Sequence, residues 1–136
     1  MLAVGLGARA GTPPARLSTA IRSVLSAAGI AAADVTVLAT LDRRAAEEGV
    51  RTVAASAGWL LAGYPADALA RQDVPGPSHT VAAAVGTPSV AEAAALLAAG
   101  PGSELVVPKQ VCDGVTVAVS LGHRPLVDRD VLVHQR

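Results

Sequence analysis

The opening of the chain constrains its fold more than any other stretch. Residues 1–5, Met-Leu-Ala-Val-Gly, make a short apolar run that predicts a strand. Residues 6–11 form a loop punctuated by Gly7 and Gly11, just after Gly5, and carry one charge, Arg9. Thr12 is suited to cap a helix and Pro13 to begin one, because the first helical N–H has no partner to lose. Leu17, Ile21, Val24, Leu25 and Ala28 then recur at the spacing of one helical face. Strand, glycine loop and capped helix is how an α/β unit begins, and ligands of open α/β sheets collect at the carboxyl ends of the strands.

Nucleotide binding is the first function such an opening brings to mind, and the details weaken it. A dinucleotide fingerprint needs G-x-G-x-x-G, but the third glycine here comes one residue late, at Gly11. The acidic residue expected after the second strand is missing, since Asp34 precedes that strand. No G-K-[ST] occurs, and Pro13 and Pro14 remove two N–H groups that would otherwise face a phosphate. Arg9 points elsewhere. A guanidinium in a glycine loop at a strand end is suited to hold a carboxylate or phosphate with two parallel hydrogen bonds.

The rest of the chain extends the α/β pattern. Gly29 ends the first helix. Residues 35–40 are β-branched and apolar and predict a second strand, followed by one helix over 45–57 with Glu47 and Glu48 in its first turn. Gly58 ends that helix. Residues 59–64 predict a third strand and 65–71 one or two helical turns. A loop at 73–78 holds Pro75, Gly76 and Pro77, and a short helix at 79–85 is stopped by Gly86. Ser89 and Glu92 have capping-box spacing ahead of a helix that Gly100 and Pro101 end. Strands are expected at 105–108 and 115–120, joined by Asp113-Gly114 as a hairpin turn. Residues 121–136 read as a charged tail, with a short strand at 131–133 or partly disordered. The expected architecture is a three-layer αβα domain over 1–120, with a mixed, mostly parallel sheet of about five strands.

Composition narrows the function classes. The chain of 136 residues is 51% hydrophobic, enough for one well-packed domain. Eleven basic and eleven acidic residues cancel, so no global field draws it to nucleic acid or to an anionic membrane. Trp59 and Tyr64 are the only aromatics, too few for a base-stacking platform. Cys112 is the sole cysteine, which rules out an internal disulfide and a Cys-based zinc site. His79, His123 and His134 lack metal-ligand spacing, so neither a metal nor a cofactor is expected. No apolar run reaches membrane-spanning length, and a cytoplasmic location is expected.

Four polar clusters fall at loop or helix edges: Arg9 with Thr12; Thr40, Asp42, Arg44 and Glu47; Thr87, Ser89 and Glu92; and Lys109. Each has a bland counterpart. Thr87, Ser89 and Glu92 read as a helix cap, Glu47 and Glu48 as dipole-favoured surface residues, and Asp42 with Arg44 as a surface pair worth little. Read for function, they are a glycine-lined, mixed-charge edge site.

The residues that carry a resemblance are Gly5-Leu6-Gly7-Ala8-Arg9-Ala10-Gly11-Thr12, Ala39-Thr40-Leu41-Asp42 with Arg44 and Glu47, the run Gly86-Thr87-Pro88-Ser89-Val90-Ala91-Glu92, and Leu105-Val106-Val107-Pro108-Lys109. Together they resemble the CobE family of cobalamin biosynthesis proteins, equivalent to the C-terminal domain of CbiG. The resemblance implies a role in building the corrin ring and a precorrin or corrinoid polycarboxylate as ligand, with other enzymes of the pathway as partners. Full-length CbiG opens the lactone of cobalt-precorrin-5A and releases a two-carbon fragment as acetaldehyde. In that light Arg9, Arg44 and Lys109 are expected to grip carboxylate arms. Gly5, Gly7, Gly11, Thr12, Thr40, Gly86, Thr87 and Ser89 are expected to complete the binding edge. Two roles stay open: a carrier or accessory that leaves its ligand unchanged, or a hydrolase using an activated water with Asp42, Glu47 or Glu92 as base and Arg9 or a loop N–H as oxyanion stabiliser. A plain nucleotide-binding domain is the third reading.

Overall fold

The computed structural model describes residues 1–74 and 89–122. Among these residues five strands form one sheet: β1 (Leu2–Gly7), β2 (Val35–Leu41), β3 (Leu60–Tyr64), β4 (Glu104–Cys112) and β5 (Val115–Leu121), in the order β3-β2-β1-β5-β4. β1 pairs in parallel with β2, and β2 with β3. β5 runs antiparallel to both β1 and β4, so four of the five strands point the same way. The turn between β4 and β5 has positive φ at both central residues, Asp113 at 53° and Gly114 at 80°. That is the twist a two-residue hairpin requires.

The helices are α1 (Pro14–Ala27), α2 (Asp42–Ala45), α3 (Glu48–Ala57), α4 (Ala66–Arg71) and α5 (Val90–Ala99), with a 3₁₀ turn at Ala32–Asp34. α1 and α3 cover one face of the sheet, where Leu17, Ile21, Val50 and Val53 pack on Val4, Leu6, Leu38 and Val117. α5 and α4 cover the other, where Ala93, Ala94 and Leu69 pack against Ala39. The result is the expected three-layer αβα fold.

Gly29 and Gly58 end α1 and α3 with φ of +72° and +78°. After each of them the next amide reaches back five residues, Ile30 N to Leu25 O and Trp59 N to Ala54 O, both at 2.9 Å. These are Schellman closures, which only a residue free to be left-handed makes cheaply.

Three local expectations need correction. Thr12 does not cap α1. Pro13 occupies the cap position, and the Thr12 hydroxyl instead donates to Arg9 O at 2.8 Å. The single helix expected over 45–57 is two, broken at Ala46–Glu47, so Glu47 is the residue before α3 rather than part of its first turn. Lys109 does not end a strand, because β4 continues to Cys112. The last strand runs to Leu121, and Gly122 N donates to Met1 O at 2.8 Å. The expectations from Pro75 to Pro88, Gly86 and Thr87 among them, and those beyond Gly122, the strand at 131–133 included, lie outside the described residues.

Candidate functional site

The carboxyl ends of β1, β2 and β3 share one edge of the sheet, and α5 begins over the same edge. A methyl group added at Gly7 would stand 3.8 Å from Ala91 N and 3.9 Å from Val90 Cβ, which is ordinary contact. The two ends of the chain's most distinctive motifs, the glycine loop and the Ser89 helix start, therefore meet beside β1.

Gly5 serves a different purpose. A Cβ there would lie 1.8 Å from Ala91 O and 2.9 Å from Ala95 N. Glycine at this position lets α5 sit directly on the strand, and the backbone is buried beneath it. Thr40 is also fully buried. Its hydroxyl donates to Leu6 O at 2.7 Å and fastens the ends of β2 and β1 together.

The loop after β1 is a tight turn in which both the amide and the hydroxyl of Thr12 donate to Arg9 O, at 3.3 and 2.8 Å. Gly11 takes φ +78°, and a methyl there would meet nothing within 4 Å, so open space lies over it. The Gly11 amide donates to Glu47 Oε1 at 3.1 Å, and Arg44 is ion-paired with Glu47 Oε2. The break between α2 and α3 is what puts Glu47 here. At Gly49 a methyl would stand 3.2 Å from Thr12 O, so α3 also abuts the loop closely.

The expected cations thus divide. Arg44 has a side chain only 18% exposed and is committed to Glu47. Arg9 is exposed, and its guanidinium makes no hydrogen bond or ion pair among the described residues. Lys109 is exposed on β4 at a bulge, where Val107 pairs with Val119 and Gln110 with Val117. One extra residue in β4 takes the Lys109 amide out of the ladder. That amide donates to Glu92 Oε2 at 3.0 Å. β4 lies two strands from β1, so Lys109 is offset from the glycine loop by roughly 10 Å across the sheet.

Ser89 caps α5 as expected, accepting from Glu92 N at 3.3 Å. The Glu92 carboxylate does not complete a reciprocal box. It is 1% exposed and holds the β4 bulge. Asp42, another carboxylate expected to do chemistry, is exposed at the first position of α2.

Sequence reasoning missed the Glu47 contact. The spacing of Arg44 and Glu47 allowed it, but its partner amide is 36 residues away. It also passed over Tyr64, which ends β3 beside Leu41 and packs near Ala39 and Ala93. Burial raises the Tyr64 hydroxyl above its ordinary pKa of 10.0, because the phenolate loses solvent. Elsewhere, a cleft of about 360 Å³ between α1 and β4, lined by Val24, Ala27, Val107, Pro108 and Cys112 among others, has no charged side chain among its described lining residues. It is a poor match for a polyanion. No cluster of three or more metal-binding side chains occurs among the described residues, and no helix there is long and apolar enough to cross a membrane.

Comparison with known proteins bears on this edge. The family described as Cobalamin synthesis G C-terminus matches residues 2–120. Protein CobE of Sinorhizobium sp is 34% identical over 121 residues, 88% of this chain and 79% of that protein. The cobalt-precorrin-5A hydrolase of Priestia megaterium is 34% identical over 122 residues, 89% of this chain but 32% of the hydrolase. The chain therefore spans about a third of that relative's length. Among solved structures, that of CobE, a protein from the cobalamin (vitamin B12) biosynthetic pathway, superimposes with a TM-score of 0.71 at 27% identity, covering 88% of this chain and 89% of the other.

Proposed function

This chain belongs to the Cobalamin synthesis G C-terminus family of cobalamin biosynthesis proteins, and from that premise we propose that it binds a precorrin or corrinoid polycarboxylate at the carboxyl edge of its sheet, as a carrier or accessory in corrin-ring formation. The observation that carries the reading is Arg9, an exposed guanidinium without a partner among the described residues, on a glycine-containing turn that follows β1 and abuts the start of α3. A free guanidinium beside accessible backbone is the arrangement that recognises a carboxylate arm. Lys109, offset across two strands, supplies a second cation at a distance only a wide ligand could use.

The carrier reading is favoured over a hydrolytic one by Glu92. Its carboxylate is buried and accepts from the Lys109 amide, so it shapes the strand rather than facing a ligand. Glu47 is engaged by the Gly11 amide and Arg44, which leaves Asp42 as the candidate base for lactone opening. Isothermal titration of cobalt-precorrin-5A tests the proposal. Arg9→Ala is expected to weaken binding about 10-fold or more, the loss of one charge-assisted hydrogen-bonded pair. Lys109→Ala is expected to weaken it less. Wild-type binding that neither substitution alters contradicts the site. Release of a two-carbon product that Asp42→Asn abolishes contradicts the carrier role.

A further inference from the structure

Glu47 uses both of its carboxylate oxygens at the site edge: Oε1 accepts from the Gly11 amide at 3.1 Å and Oε2 pairs with Arg44. One backbone N–H and one guanidinium, each aimed at a different oxygen, are the donors that an external carboxylate would also need. The clamp is not sealed in, because the Glu47 side chain keeps 25% of its exposure and Gly11 is exposed with open space above it. The pair is only partly buried, so an incoming carboxylate can reach the same donors and compete for them. Arg9 stands two residues before Gly11 in the same turn, free among the described residues.

We propose that Glu47 is a resident stand-in for a ligand carboxylate, occupying a subsite formed by the Gly11 amide and the Arg44 guanidinium that a carboxylate arm takes over on binding. The proposal rests on the carboxylate-binding reading above and assigns Arg44 its part in it. While Glu47 is seated, Arg44 is neutralised and the positive charge of this turn comes from Arg9. When a ligand arm displaces it, Glu47 turns to solvent and Arg44 joins Arg9 in holding the ligand. The occupied state keeps the loop ordered and keeps weak monocarboxylates out. A ligand with several arms gains enough from Arg9 and the rest of the edge to displace it.

The test uses glutarate as a minimal dicarboxylate and follows the Gly11 amide by NMR in uniformly ¹⁵N-labelled protein. Glu47→Gln keeps the side-chain oxygen that accepts from Gly11 but removes the competing charge. It is expected to bring the glutarate-induced shift of Gly11 to at least about threefold lower concentration, and Arg44→Ala is expected to remove the shift. If Glu47 only pins the loop, Glu47→Gln leaves the response unchanged or weakens it, and the proposal is overturned. The spectrum outside this edge reports whether the variant is folded. The same variant titrated with cobalt-precorrin-5A separates the two claims. A glutarate gain without corrinoid binding supports the subsite and sinks the proposed ligand, whereas corrinoid binding that Glu47→Gln does not tighten overturns the subsite alone.

Discussion

The two faces of the sheet are packed by opposite means. Toward α1 and α3 the strands present Val4, Leu6, Leu38, Val115, Val117 and Val119, and the helices answer with Leu, Ile and Val. Each such side chain stabilises the fold by about 1.5–3 kcal/mol when fully buried. Toward α5 they present Ala3, Gly5, Ala39, Ala118 and Ser120, and α5 answers with alanine. Little apolar area is available there, and closeness replaces bulk. Gly5 admits the backbone of α5, and a methyl at Gly122 would come within 2.7 Å of Ala99 O. Ser120 donates to Ala95 O at 2.5 Å and Ser103 to Leu96 O at 3.2 Å. The bulky face gives stability, whereas the thin face fixes a position. It brings the start of α5, with Ser89 and Glu92, against the end of β1, where the candidate site lies.

Substitutions on the two faces should therefore fail differently. Gly5→Val is expected to have the largest effect, more than about 3 kcal/mol or outright failure to fold, because the clash is with backbone that cannot turn aside. Leu38→Ala on the opposite face should cost about 3 kcal/mol through an ordinary cavity. Urea denaturation of both variants checks the order, and a Gly5→Val protein as stable as wild type would break the comparison.

Glu92 sharpens it. Glu92→Ala leaves the Lys109 amide without its acceptor at a partly buried bulge and should cost about 2 kcal/mol. Glu92→Gln keeps an acceptor oxygen and should cost about half as much or less. Equal losses in the two would show that charge, not the hydrogen bond to β4, is what matters there.

The smallest effect concerns Tyr64, at the rim of the thin face. Its folded pKa is raised by burial, so between the unfolded value of 10.0 and the higher folded one the native state holds a proton that the unfolded chain has released. Stability is then fully present below about pH 10 and falls as pH rises beyond it. Tyr64 is the only tyrosine, so its phenolate absorbance can be titrated directly. Tyr64→Phe should remove this part of the alkaline decline, and an unshifted titration would show the hydroxyl to be solvated.

Much of this fold was legible in local signals. Helix ends at Gly29, Gly58 and Gly100, the Asp113-Gly114 turn and the alternation of β5 each depend on residues close in sequence, and each appears where it was expected. The departures have two causes: one local bond replaces another at Thr12, and a distant partner overrides a local preference at Glu47 and Glu92. Thr12 gives up capping α1 for a bond inside the Arg9 turn. Glu47 leaves a helix to reach Gly11, and Glu92 leaves a capping box to reach the β4 bulge. The family motif, read as one patch of ligand-binding residues, has distinct physical parts: Gly5 and Thr40 join strands and helix, Glu92 shapes β4, and Arg9 faces outward. Spacing in sequence cannot tell these apart, because burial decides which role each residue takes.

Native mass spectrometry of the protein with cobalt-precorrin-5A tests the central claim most directly, because one spectrum reports both the complex and the mass of its ligand. The account predicts a one-to-one complex with a ligand of unchanged mass, strongly depleted in Arg9→Ala. A ligand lighter by a two-carbon fragment would contradict the carrier role, and a complex equally abundant in Arg9→Ala would contradict the site.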